Sequence, residues 1–255
     1  MFIHNIDPVL LSLGSLQIRY YGLVYFLGFV FLYFFLRYQA RKGLIKNLTE
    51  EKVETLILYA FIGLMIGARL FTFVFYYPQA LLADPLVLFK IWQGGMSFHG
   101  GLVGVVVAGY LFSKKYDVKF YSLADLIVIP AAIIVFFGRI ANFINAELPG
   151  TVTDFALCVE YPNHPIQGCR HPYVIYEGLK NLFVGIGLYF VYKSKVFKEG
   201  VVFWGFIFLY ALLRFFIDFL REEPLFLGIS MGQFLSVTFI IVSVYYLYNY
   251  NGLKR

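Results

Sequence analysis

The chain is poor in charge: Asp, Glu, Lys and Arg make up only 14% of its 255 residues. It holds two cysteines and four histidines. So few charges against 60% hydrophobic residues exclude an ordinary soluble domain, which has no means of keeping that much apolar surface from water. The histidines lack metal-ligand spacing, so neither a metal nor another cofactor is expected. No Gly-rich nucleotide loop, HExxH or G-x-S-x-G is present. Met1 to Ser15 lack a basic stretch and a small-residue cleavage site, so the first apolar block is expected to remain as a permanent span. The net charge is +6, but the basic residues sit in short loops between apolar blocks, so nucleic acid is not an expected partner.

What the chain does have is apolar blocks of about 20 residues, the length a helix needs to cross the hydrocarbon core. These predict an all-α integral membrane protein forming a single polytopic domain over 1–255. Its spans are expected at 18–36, 54–76, 94–112, 122–141, 173–192, 201–220 and 231–248. The stretch 77–93 is apolar but broken by Pro78, Asp84 and Pro85, and reads as an interfacial arm. Residues 142–172, between the fourth and fifth spans, read as a small external cap. Cys158 and Cys169 lie in that cap. Their spacing permits a bridge in an oxidising compartment and equally permits two free thiols.

Direction follows from the basic residues. One set of loops carries Arg37, Arg41, Lys42, Lys46 and Lys52, then Lys114, Lys115 and Lys119, then Lys193, Lys195 and Lys198. The opposite flanks carry only Arg19, Lys90, Arg170, Lys180 and Arg221. The positive-inside rule puts the N-terminus outside and the C-terminus in the cytoplasm.

Arg69, Arg139 and Arg214 fall within spans, where a charge at the centre costs about 2.5–3.5 kcal/mol on insertion scales. Two readings stand for Arg69 and Arg139: a partnered, cavity-facing charge, or snorkelling to the interface. Arg214 is deeper and is read as cavity-facing. In the expected topology these arginines share one outer depth with Tyr21, His99, Asn142, Asn145, Glu147 and Gln233. Arg214 and Asp218 stand four residues apart and Arg139 and Asn142 three apart, so each pair shares a helix face. Arg221 is expected one turn further along the Arg214 face. Several guanidinium groups beside a cavity suit a phosphate; interhelical ion pairs, Arg214 with Asp218 or Glu147, are the alternative. His99, flanked by glycines at cavity depth, is a candidate base. Asp125 is expected to make a cap or loop contact.

Several segments together resemble a known family. They are Tyr20-Tyr21-Gly22; Asp84-Pro85-Leu86; Trp92-Gln93-Gly94-Gly95-Met96-Ser97-Phe98-His99-Gly100-Gly101; and Gly138-Arg139-Ile140-Ala141-Asn142-Phe143-Ile144-Asn145-Ala146-Glu147. Further along come Arg170-His171-Pro172 with Tyr176-Glu177; Tyr210, Arg214, Asp218 and Arg221; and Met231-Gly232-Gln233. In this order they resemble the prolipoprotein diacylglyceryl transferases. Ala141 stands where that family commonly has Gly, Asp218 where Glu is usual, and Tyr173-Val174 where Ser-Gln is usual.

The resemblance implies transfer of a diacylglyceryl group from phosphatidylglycerol to the lipobox Cys thiol of an exported preprolipoprotein. It implies a monomer in the bacterial inner membrane, its active site toward the outer face, with membrane lipid and lipobox signal peptides as partners. His99, Arg139, Arg214 and Tyr21 are the candidate catalytic residues. Asn142, Glu147, Gly100, Gly101, Tyr210, Asp218 and Arg69 are the candidate substrate-binding residues. The alternative is a polytopic transporter or a lipid- or anion-binding membrane protein with an outer-face phosphate site. No internal repeat supports a transporter.

Overall fold

Among the described residues eight α-helices form: α1 (Tyr20–Arg41), α2 (Glu50–Phe71), α3 (Pro78–Ala83), α4 (Phe98–Tyr116), α5 (Phe120–Ile144), α6 (Tyr173–Ser194), α7 (Val201–Ile217) and α8 (Met231–Asn249). The computed structural model describes residues 1–14, 16–91, 94–165, 167–226 and 228–249. The side chains of Leu13, Leu16, Phe98, His99, Leu225 and Phe226 lie outside that description. Among the described residues six helical stretches are long and apolar enough to cross a membrane: Tyr20–Arg41, Glu50–Tyr76, Phe120–Ile144, Tyr173–Ser194, Val201–Leu220 and Met231–Asn249. The third expected span is a 19-residue helix, α4. It is long enough at 1.5 Å per residue, but it is diluted by Gly100, Gly101, Gly104 and Gly109 and ends in Lys114 and Lys115. The protein is a multi-pass, essentially all-α membrane protein.

Large apolar side chains cover much of the exterior, and several charged and polar side chains are buried. Phe26, Phe34, Phe183, Phe190 and Ile241 are each more than 60% exposed, while Arg170, Glu177, Asn181 and Gln233 are sealed inside. Apolar side chains on the outer face are at home in lipid, whereas charges in a span are held inside with partners.

By internal packing the chain divides into two compact units, residues 1–32 with 125–255, and residues 33–124. The first is built on α5, α6, α7 and α8. Val128 and Ile129 of α5, Val184 and Leu188 of α6, and Val202 of α7 form its apolar core. Small residues bring the backbones together: a Cβ on Gly185 would meet the Ala132 methyl at 2.8 Å, and one on Gly28 would meet Ile134 at 2.8 Å. Trp204 of α7 stacks on Tyr246 of α8 at 4.2 Å. Asp125 caps α7 from a neighbouring helix, its carboxylate accepting from Gly200 N at 2.6 Å and Phe203 N at 2.7 Å.

Short strands complete this unit. β1 (Phe2–Ile3) pairs in parallel with β4 (Val159–Glu160), which pairs with β5 (Cys169–Arg170). β2 (Val9–Leu13) and β3 (Leu16–Arg19) form a hairpin before α1, and β6 (Leu225–Phe226) pairs with β7 (Ile229–Ser230) before α8. Cys158 and Cys169 are joined by a disulfide. The N-terminal strand thus forms part of the 145–172 loop, where burial pushes the Tyr161 phenol up to about 12.

In the second unit, α2 and α4 lie in backbone contact. A Cβ on Gly104 would fall 1.9 Å from Gly63 O, and one on Gly67 would fall 2.3 Å from Gly100 O. This is small-xxx-small packing, in which glycine lets two helices approach closely where the hydrophobic effect gives no help. Thr49 caps α2. Glu50 of α2 pairs with Arg37 at 2.5 Å and Arg41 at 2.8 Å. After α2 come a π-helical turn (Thr72–Tyr76), α3 and a 3-10 turn (Pro85–Phe89).

Candidate functional site

The ends of α5, α6 and α7 bring one polar cluster together in the first unit. On α5, Arg139 and Asn142 share a face, and Arg139 Nη1 donates to Asn142 Oδ1 at 3.2 Å. The helix stops at Ile144. Ala146 and Leu148 then take positive φ (55° and 54°), folding the chain back so that Glu147 faces the last turn. The Glu147 carboxylate accepts from Asn142 Nδ2 at 2.6 Å and Asn145 Nδ2 at 3.1 Å. It orients Asn142; its hydrogen bonds are to these two amides and not to an arginine.

α6 contributes Glu177, fully buried, which accepts from Lys180 Nζ at 2.6 Å and pairs with Arg139 Nη2 at 3.4 Å. α7 contributes Tyr210 and Arg214. Arg214 Nη1 donates to the Tyr210 hydroxyl at 3.0 Å, and its Nε donates to Asp218 Oδ2 at 3.3 Å. Asp218 also accepts from the Tyr173 hydroxyl at 2.5 Å. The start of α8 presses against this pair: a Cβ on Gly232 would lie 2.5 Å from Asp218 Oδ2 and 3.3 Å from Arg214 Nη2. Any residue but glycine there would push the carboxylate aside. Gln233 is buried and occupied by backbone, accepting from Ser230 N and donating to Phe215 O. Tyr21 donates to Tyr25 at 3.3 Å, and the Tyr25 hydroxyl lies within van der Waals distance of a Cβ built on Gly138.

Arg139 and Arg214 thus belong to one network, with Glu177 within electrostatic reach of both. Their side chains keep 16% and 15% exposure, while Glu177 and Asp218 keep none. The guanidinium groups form the accessible layer and the carboxylates the layer beneath. Such an arrangement binds an oxyanion: planar donor forks in front, held in place from behind by charge-assisted hydrogen bonds.

The remaining candidates belong to the second unit. Arg69 is buried, and its guanidinium donates to the carbonyls of Val87, Leu88, Lys90 and Gly94. It neither snorkels nor presents free donors, but gathers the backbone of 87–90 and of Gly94. Gly100 opens α4 in backbone contact with Gly67, while Gly101 has only ordinary contacts. The His99 side chain, with Trp92 and Gln93 of the same motif, lies outside the described residues; the His99 backbone is in the first turn of α4, which Ser97 caps.

Two sequence expectations are corrected. Arg221 does not continue the Arg214 face, because α7 ends at Ile217 and a 3-10 turn turns Arg221 into extended backbone, paired with Glu223 at 2.9 Å. Lys180 is not a flanking charge but a buried member of α6. Sequence reasoning missed Glu177, Lys180 and Tyr173 as site residues. The available signal was an acid and a base three residues apart inside an apolar span, a spacing at which side chains meet.

The family model described as prolipoprotein diacylglyceryl transferase matches residues 8–249. The chain is 40% identical over 237 residues to a protein of Bordetella avium (strain 197N), covering 91% of this chain and 89% of that one. It is 36% identical over 249 residues to a protein of Ehrlichia ruminantium (strain Gardel), covering 94% and 95%. With a protein of Geobacter sulfurreducens it shares 40% identity over 249 residues, covering 94% of each. All three carry the name phosphatidylglycerol–prolipoprotein diacylglyceryl transferase. The chain belongs to the prolipoprotein diacylglyceryl transferase family.

Proposed function

We propose that this protein transfers the diacylglyceryl group of phosphatidylglycerol to the lipobox Cys thiol of a preprolipoprotein. The substrate thiolate attacks the glyceryl carbon that carries the phosphate. A carbon–sulfur bond forms, the carbon–oxygen bond breaks, and glycerol phosphate departs with the electron pair. The thiol proton passes to a base, for which His99 is the candidate; His99 otherwise orients the headgroup.

The observation that carries this reading is the pair Arg139 and Arg214, presented from two helices and backed by buried carboxylates. Charge grows on the phosphate as the carbon–oxygen bond breaks, and preorganised donors aimed at it stabilise that change. Asp218 and Tyr210 hold Arg214 in place, and Glu147 holds Asn142, which with Tyr21 contacts the lipid glycerol. Arg69 supports the 77–93 segment, a membrane-interface arm whose Leu82, Leu86 and Phe89 stand exposed; Gly100 and Gly101 let α4 pack on α2 and so fix the helix that carries His99. The enzyme works as a monomer in the bacterial inner membrane. Its N-terminus, the 142–172 cap and the site face outward, where phosphatidylglycerol and an exported signal peptide meet.

The test is incubation of the purified protein with phosphatidylglycerol and a lipobox peptide, with mass detection of the product. Wild type is expected to yield the diacylglyceryl thioether, and His99→Ala and Arg139→Ala to yield none. A folded wild-type protein that binds the lipid yet makes no adduct would overturn the transferase reading and favour lipid or anion binding alone.

A further inference from the structure

The buried face of α6 carries an ion that the mechanism above does not use. Lys180 is buried, its side chain only 2% exposed, in the second turn of a spanning helix. It donates to Glu177 at 2.6 Å and lies 3.9 Å from the centroid of the Tyr210 ring. Glu177 therefore has two cationic partners, and Lys180 is closer than Arg139, which stands at 3.4 Å. The nearer ion takes the larger share of the carboxylate. Arg139 is left with a neutral partner, Asn142, at Nη1, and with a buried Nε that has no partner. Among the buried and part-buried charges, Arg214, Arg139 and Lys180 make three cations against two carboxylates, Glu177 and Asp218; the third carboxylate of the cluster, Glu147, is exposed and bonded to the amides of Asn142 and Asn145. Surplus charge in a desolvated cluster is costly unless a counter-ion completes it. Without Lys180 the cluster would be balanced two against two, and Glu177 would draw Arg139 into a closed pair.

We infer that Lys180 is a positioning residue: it neutralises Glu177 and so keeps Arg139 available to the phosphate of an anionic lipid headgroup. This rests on the transferase reading for the identity of the anion. The surplus of one positive charge matches a phosphodiester, which carries one negative charge. It becomes more favourable as the departing glycerol phosphate gains a second.

Four full-length proteins in lipid nanodiscs test it: wild type, Lys180→Met, Glu177→Gln and the double variant. Melting in detergent establishes that each folds. Removing one buried unit charge near the phosphate is expected to raise the KM for phosphatidylglycerol on the order of tenfold to a hundredfold in Lys180→Met. Glu177→Gln alone, with greater surplus charge, is expected to lower both KM and kcat. The double variant restores the surplus and should regain most of what Lys180→Met loses. An unchanged KM in Lys180→Met, or a double variant as impaired as that single one, would overturn the inference, because a packing role gives no rescue. Native mass spectrometry of bound phosphatidylglycerol against phosphatidylcholine separates this from the transferase reading. If wild type makes no adduct but prefers the anionic lipid, and the preference falls in Lys180→Met and returns in the double variant, the transferase reading fails and the role of Lys180 stands. If that preference does not depend on Lys180, the inference fails whatever the activity.

Discussion

The α2–α4 pair and the α6–α7 pair meet the same problem, holding two helices together in lipid, by opposite means. Between α2 and α4 the contact is made by what the side chains lack, with Gly63, Gly67, Gly100 and Gly104 bringing backbone against backbone. Between α6 and α7 an apolar core (Val184, Leu188 and Val202) is joined by polar groups: Tyr173 bonds Asp218, and Lys180 lies over Tyr210. The first contact is tuned by volume and indifferent to charge. The second is tuned by charge and tolerates little change of hydrogen-bond geometry. Chemistry is therefore expected in the second, and sensitivity to size in the first.

The largest effect that would break this contrast is on activity. Arg214→Lys keeps the charge but loses the fork that joins Tyr210 and Asp218 to a ligand. Loss of a transition-state donor of this kind costs about a hundredfold in kcat. The expected result is that loss in the thioether assay with little change in the melting temperature. A comparable fall in melting temperature would mean that the α6–α7 network serves mainly to hold the fold.

Next comes Gly104→Leu, which places a side chain where Gly63 O already stands. Overpacking of this kind costs about 1–3 kcal/mol or more, so the expected outcome is a lowered melting temperature and poor recovery in detergent. A charged region that melts normally after Arg214→Lys and a glycine region that does not after Gly104→Leu would establish the division of labour. A smaller effect is expected from Asp125→Asn. One amide oxygen can accept from Gly200 N or Phe203 N, but the new NH2 faces the other donor. About 1–2 kcal/mol of stability should be lost, with activity per folded molecule unchanged.

Much of this contrast could be read from the letters. Six of the seven expected spans show in the sequence by length and apolar content, and Arg214–Asp218 and Arg139–Asn142 by helical spacing. Gly63 and Gly67, and Gly100 and Gly104, stand four residues apart in the sequence, the small-xxx-small spacing of close helix packing. Other features were not legible, for physical reasons. Two-residue strands such as Phe2–Ile3 and Val159–Glu160 are too short to show a period, and their pairing joins segments over 150 residues apart. Lys180 was read as topology because a lysine near a span end ordinarily reaches the interface; only its distance to a fully buried Glu177 shows otherwise. The role of Arg69 was open for the same reason, since backbone carbonyls leave no signature in sequence.

The smallest predicted effect sharpens the comparison within a single segment. The 84–91 stretch is held twice: by the buried Arg69, which donates to several of its carbonyls, and by the exposed pair Lys90–Asp84 at 2.6 Å. The Lys90 ammonium, with help from the Leu86 amide, holds the Asp84 carboxyl below the usual carboxylate range. A carboxyl whose pKa is depressed by folding adds stability above its unfolded value, and loses it as pH falls through the folded one. Whatever the pair contributes is therefore present at neutral pH and lost only below about pH 4. Exposed pairs contribute little, because solvent screens them and both side chains lose freedom. Asp84→Asn keeps an acceptor for Leu86 N and removes only the charge. Amide hydrogen exchange over 86–91 should then change little at neutral pH, and its acid dependence should flatten. Arg69→Met removes the carbonyl clasp and should speed exchange across the same amides at every pH. Equal effects from the two substitutions would mean that the exposed pair, and not the buried guanidinium, organises this segment.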